Sequence, residues 1–135
     1  MAFDIIEEAE KAIKSLRKLR PTRKDPNRLV IELTTSQIRK FLTAVNSLKN
    51  KIDVYKINHL NEDVLSDDLV MEVKFLRVNI LYQAKREKNV KEFIVKARIE
   101  KHINDIGDSI ANFNKFYKYV EALVAFHKYY GGKDR

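Results

Sequence analysis

D-S-I-A-N-F-N-K-F-Y-K-Y-V-E-A-L-V-A-F-H-K-Y-Y-G-G, from Asp108 to Gly132, is the stretch that decides the fold. Ile110, Phe113, Tyr117, Val120, Val124 and His127 recur at spacings of three and four, as one helical face does. A second row, Phe116, Tyr119, Leu123, Phe126 and Tyr130, covers much of the remaining circumference. A helix that is apolar nearly all round is buried on several sides. Gly131 and Gly132 supply the stop, because glycine adopts the left-handed cap conformation at little cost. Such a segment is the central post of a small helical domain.

The rest of the chain supplies helices to pack around it. Phe3 to Arg20 is amphipathic, with Phe3, Ile6, Ala9, Ile13, Leu16 and Leu19 on one side and an acid-to-base gradient that suits the helix dipole. This segment either docks on the body or stands free of it. Pro21 to Arg28 reads as a basic loop. Thr34 with Gln37 forms a capping box, and Leu33 with Ile38 a hydrophobic staple, ahead of a stripe of Ile38, Phe41, Leu42, Val45, Leu48 and Ile52. Leu29 to Leu33 has strand composition but no second strand to pair with, so it is expected as an extended lead-in. Asp53 to Leu65 reads as a loop with a short helical turn. Ser66, Asp67 and Asp68 start a third helix running to about Glu87, with Leu69, Val73, Leu76 and Ile80 inward. A fourth is expected from Val90 to Ile106, ended by Gly107, with Asp108 or Ser109 capping the fifth. The expected class is all-α, a compact bundle of about five helices with the last one central. Residues 1–28 form an N-terminal amphipathic helix and basic loop, and 29–135 the helical-bundle domain.

The chain has 135 residues, one domain by size, and a net charge of +8 with no cysteine. That charge favours a polyanionic partner, nucleic acid before membrane. The alternative is a solvated basic surface on a scaffold or adaptor that binds acidic protein partners. Thiolate metal sites and disulfides are excluded. No apolar run reaches membrane-span length, and the acidic start is wrong for a signal peptide, so a cytoplasmic protein is expected. His59, His102 and His127 lack metal-ligand spacing, and the His102–Asp105 pair alone makes no metal site. Asp67 and Asp68 are explained by the helix dipole. Ser36 and Ser47 have no base in obvious reach, and no glycine-rich phosphate loop occurs. A helix-turn-helix around Gly107 would need Asp108–Tyr130 as its recognition helix, which is too apolar for a major groove. No enzyme, metal or cofactor is expected.

Basic stripes are the best functional signal. Arg39, Lys40, Lys74, Arg77, Lys85 and Arg86 sit on two helices, where rigid placement lets them touch successive phosphates. At about 100° per residue, Lys74, Arg77, Lys85 and Lys88 fall within one quadrant, while Arg86 projects oppositely, near Tyr82 and Asn79. An arginine fork grips phosphate through two hydrogen bonds, and both Arg86 and Tyr82 can stack on bases. A structural role for Arg86, pairing with an acidic side chain, is the competing reading.

Three stretches together resemble the small subunit of type III-A CRISPR interference (Csm) complexes: L-T-T-S-Q-I-R-K-F-L from Leu33 to Leu42, K-F-L-R-V-N-I-L-Y-Q-A-K-R from Lys74 to Arg86, and F-N-K-F-Y-K-Y-V-E-A-L-V-A-F-H-K-Y-Y-G-G from Phe113 to Gly132. The likeness covers residues 29 to 132. It departs at Val78 and Lys85, where the family segment often has a proline and a glycine. The resemblance implies a helical bundle without enzymatic activity, acting in antiviral defence. Several copies would stack head to tail along the inside of a ribonucleoprotein, beside the backbone and large subunits of the Csm complex, lining the channel where target RNA pairs with the CRISPR RNA. Carried over position by position, Arg39, Lys40, Arg77, Tyr82 and Arg86 would face RNA, with Lys128 a further candidate. Base pairing reads the sequence there, so the protein need only hold backbone and duplex shape.

Overall fold

The computed structural model describes residues 4–133 and is predominantly helical, as the periodicity predicts. Six helices carry it: α1 (Ile5–Lys14), α2 (Thr35–Asn58), α3 (Asp67–Arg86), α4 (Lys88–Lys96), α5 (Ile99–Asn104) and α6 (Ile110–Tyr129). Helix α6 is the post. Phe113, Tyr119, Val120 and Leu123 are wholly buried, Phe116 and His127 nearly so, and α1 and α2 pack along its sides. Docking by α1 places Ala9, Ala12 and Ile13 in the core. Phe3, expected to begin the apolar row of this helix, lies outside the described residues.

Local start signals act as the sequence predicts. Asp4 caps α1 by accepting from the Ile6 and Glu7 amides. Thr34 Oγ1 accepts from the Gln37 amide at 3.1 Å, and Gln37 Oε1 accepts from the Thr34 amide at 2.9 Å, closing the capping box of α2. Ser66 and Ser109 cap α3 and α6. Each cap satisfies an amide left without an intrahelical partner.

Four expectations are corrected. First, α1 does not run to Arg20. It stops at Lys14, and β1 (Arg17–Leu19) follows. Second, the lead-in is a true strand, β2 (Leu29–Thr34), which lies between β1, antiparallel to it, and β3 (Gly132–Lys133), parallel to it. The physical reason is backbone hydrogen bonding: β2 buries Ile31 and Leu33, and the amides and carbonyls of so buried a strand must be paired. Third, α2 continues through Asp53 to Asn58, helped by the Lys49–Asp53 ion pair at 2.6 Å one turn apart. Fourth, the expected Val90–Ile106 helix is broken between α4 and α5. Arg98 takes a left-handed conformation with φ 53°, and the carbonyl of buried Ala97 accepts from the Tyr119 hydroxyl at 2.8 Å. The bend lets Ile99, Ile103 and Ile106 bury as well as Phe93 and Ile94. Among the described residues no helix is long and apolar enough to cross a membrane.

A buried polar network joins α1, α5 and α6. Tyr119 Oη lies 3.2 Å from Glu8 Oε2, which also meets His102 Nε2 at 2.7 Å, and the His102 and Tyr119 rings lie 4.1 Å apart. Burial, and then the charge of Glu8, push the Tyr119 hydroxyl well above its ordinary value of 10.0. The folded state therefore keeps a proton that the unfolded chain releases near pH 10. This contribution is fully present below that pH and is lost as the pH rises above it. Replacing Tyr119 by Phe should remove up to about 1.4 kcal/mol per pH unit from the alkaline slope of stability, read from urea unfolding of both proteins between neutral and strongly alkaline pH.

Candidate nucleic-acid interface

The amino-terminal half of α2 lies beside the carboxy-terminal half of α3, and this brings Lys40, Tyr82, Gln83, Arg86 and Glu87 around one hollow of about 280 Å³. Tyr82 and Arg86 are one turn apart on α3, so they share a face. The Arg86 guanidinium sits 5.7 Å from the Tyr82 ring centroid, and the ring itself is 67% exposed. Among the described residues neither Lys40 nor Arg86 is held in an ion pair. A flat exposed ring, a planar fork beside it and a separate ammonium make a surface that can stack one base and grip the neighbouring phosphates. Gln83 forms part of the wall, and its Nε2 is buried with no hydrogen-bond partner among the described residues.

The other expected residues fall elsewhere. Arg39 is exposed on α2, off the rim of this hollow. Lys74 and Arg77 line a second hollow of about 360 Å³ between α3 and α5, walled by Val70, Val73, Val78 and Ile103. There Arg77 is engaged: its Nη2 lies 2.7 Å and its Nε 3.0 Å from Glu100 Oε1. Lys85 lines a third hollow of about 430 Å³ with Leu81, Ile94, Val95, Lys91 and Glu100. Thus the single basic quadrant read along α3 is divided by Glu100. Lys128 is exposed on α6 and lines none of the three hollows.

Sequence reasoning missed the exposed apolar neighbours of these basic residues. Met71, Phe75 and Val78 are each about half exposed on α3. Their signal was present as apolar residues on the polar side of an amphipathic helix. The histidines serve structure. His59 Nδ1 meets the Tyr55 carbonyl oxygen, His102 meets Glu8, and His127, 2% exposed, meets the Leu33 carbonyl oxygen through Nε2 at 2.7 Å. Among the described residues no group of three or more acidic or histidine side chains could hold a metal ion.

The family model described as Csm2 Type III-A matches residues 14–133. A Streptococcus thermophilus protein named CRISPR system Cms protein Csm2 is 40% identical over 129 residues, covering 96% of this chain and 93% of its own length. A protein of the same name from Mycobacterium tuberculosis (strain CDC 1551 / Oshkosh) is 35% identical over 104 residues, 77% of this chain and 80% of that one. Another, from Enterococcus italicus, is 32% identical over 100 residues, 73% and 68% respectively.

Proposed function

Because the chain belongs to the type III-A Csm2 family, we propose that it is a non-catalytic small subunit of a CRISPR ribonucleoprotein, contacting other Csm subunits and holding RNA through basic helix faces. The observation that carries the RNA reading is the hollow formed by Lys40, Tyr82 and Arg86, where two unpaired cations flank an exposed ring. Its chemistry suits the backbone and one stacked base of an RNA whose sequence is read by pairing with another RNA. Several copies stack head to tail, each holding a short length of strand, so weak contacts sum by repetition.

The two hollows along α3, α4 and α5 favour a different neighbour. Their walls are apolar, and Glu100 offsets the lysines and Arg77 around them. This face fits other protein subunits better than RNA. Arg77 can reach a phosphate only by giving up Glu100. Arg77→Glu is therefore expected to weaken RNA binding no more than about threefold, well short of the effect of Arg86→Glu, because exposed ion pairs contribute at most about 1 kcal/mol. Parallel anisotropy titrations of the two variants with one labelled single-stranded RNA decide the order.

The whole reading is tested by recovering the tagged protein from its native cells, sequencing bound RNA and identifying co-purifying proteins. Short RNAs sharing a constant repeat-derived end, together with several Csm subunits, are expected. Protein that returns free of RNA, or with unrelated acidic partners, would replace this reading with the adaptor one.

A further inference from the structure

Helix α3 carries a second pattern on the side facing away from the core. Met71, Phe75, Val78 and Tyr82 are 53%, 54%, 51% and 67% exposed, and their spacing of four, three and four residues is that of a helix-pairing seam. The buried row of the same helix, Leu69, Val73, Leu76, Ile80 and Ala84, lies on the opposite side. Continued one step in each direction, the seam reaches Asp68 and Lys85, both exposed. Its order is therefore acid, four apolar residues, base.

That order is complementary to itself only when reversed. Laid against a second α3 in antiparallel fashion, Asp68 meets Lys85 of the second copy, Met71 meets Tyr82, and Phe75 meets Val78, each pair occurring twice about an axis between Phe75 and Val78. Glu72 and Arg86, on the flank next to α2, face one another in the same way. Glu72 holds Lys51 at 2.6 Å, but both side chains are about half exposed and easily exchanged. A parallel pairing would set Asp68 against Asp68 and Lys85 against Lys85. Antiparallel helices also oppose their dipoles favourably.

We propose that the free chain pairs with a second copy through α3, as a two-fold antiparallel dimer whose register is set by Asp68 and Lys85. Four half-exposed apolar side chains per copy bury an area near the roughly 1,200 Å² below which interfaces are weak, so the dimer forms in the micromolar range. It covers a continuous apolar patch of the kind soluble monomers seldom leave open. Tyr82 and Arg86 belong both to this seam and to the RNA-facing hollow, so pairing and RNA binding exclude one another. The dimer itself stands on the seam and is independent of the RNA reading.

Sedimentation velocity of the full chain, without RNA, from low to high micromolar concentration tests this. The mass should rise from 15.9 kDa towards twice that value. Phe75→Glu should weaken association at least about tenfold, with Met71→Lys as a second variant and helicity checked for both. Lys85→Glu should also weaken it, and adding Asp68→Lys to that variant should restore it, because the swap recreates both charge pairs. A mass of 15.9 kDa at every concentration, association of Phe75→Glu and Met71→Lys equal to that of the unchanged chain, or a charge swap that gives no rescue would each overturn the proposal.

Discussion

Replacing Tyr82 by Ala and Arg86 by Glu together should lower the affinity for single-stranded RNA about a hundredfold at low salt. Stacking of a base on an aromatic ring contributes about 1–3 kcal/mol, and a hydrogen bond to a charged group about 1.5–3 kcal/mol. Losses at the lower end of both ranges already reach that factor. The two residues also support one another, since the Arg86 guanidinium lies over the Tyr82 ring, so the effects of the single variants should not simply add. Arg86→Lys separates the causes. If the planar fork matters, lysine restores only part of the affinity, whereas a purely electrostatic contact is restored almost fully. Fluorescence anisotropy across a salt series is the measurement, and the slope of log affinity against log salt should become shallower by about 0.7 for each phosphate contact removed. A double variant that binds within twofold of the unchanged chain would remove this hollow from the RNA interface.

The largest effect on stability is expected at Gly132. A Cβ there would sit 2.1 Å from Cε1 and Nε2 of His127, a ring that is 2% exposed and held by the Leu33 carbonyl. That ring has no free space to retreat into. Either it abandons its hydrogen bond, or β3 leaves β2. Overpacking of this kind costs about 1–3 kcal/mol, and the lost hydrogen bond about 1 kcal/mol. Gly132→Ala should therefore destabilise the fold by about 3 kcal/mol and lower the melting temperature by roughly 10 °C. Gly107 is the control. It has φ +55° with nothing within 4 Å of an added Cβ, so alanine there costs only the backbone strain, about 1–2 kcal/mol. Thermal unfolding followed by circular dichroism compares the two. Equal losses at both positions would mean that the ring does not set the requirement for glycine at 132.

What the sequence revealed of this fold was what short-range physics encodes. The capping box at Thr34, the serine caps at Ser66 and Ser109, and the 3.6-residue rows of α2, α3 and α6 each depend on residues within two or three turns. The sheet depends on distant ones. Leu16 and Leu19 continue the helical row of α1, yet Leu19 is 54% exposed and belongs to β1. Nothing local marks Gly132 and Lys133 as a third strand. Likewise the break at Arg98 follows from a hydroxyl on α6 reaching the Ala97 carbonyl, a contact that periodicity does not register. The candidate site divides along the same line. Tyr82 and Arg86 meet because they are one turn apart. Lys40 joins them through the packing of α2 on α3, and Arg77 is drawn towards Glu100, 23 residues away. Lys128 shared their charge and nothing else.

Several ties close very long stretches of chain. Tyr119 reaches Glu8 across 111 residues, Tyr130 reaches Glu10 across 120, and His127 reaches Leu33 across 94. During synthesis, α1 and β2 leave the ribosome long before α6 and β3 exist to cover them. Ala12, Ile13, Ile31 and Leu33 must wait, unburied, until nearly the last described residue has emerged. High separation between contacting residues slows folding, and exposed apolar segments and unpaired strands invite aggregation meanwhile. The acidic first turn of α1 and the basic hairpin from Arg17 to Arg28 then serve a second purpose, as charges that keep the nascent amino-terminal third apart from its neighbours until its carboxy-terminal partner arrives.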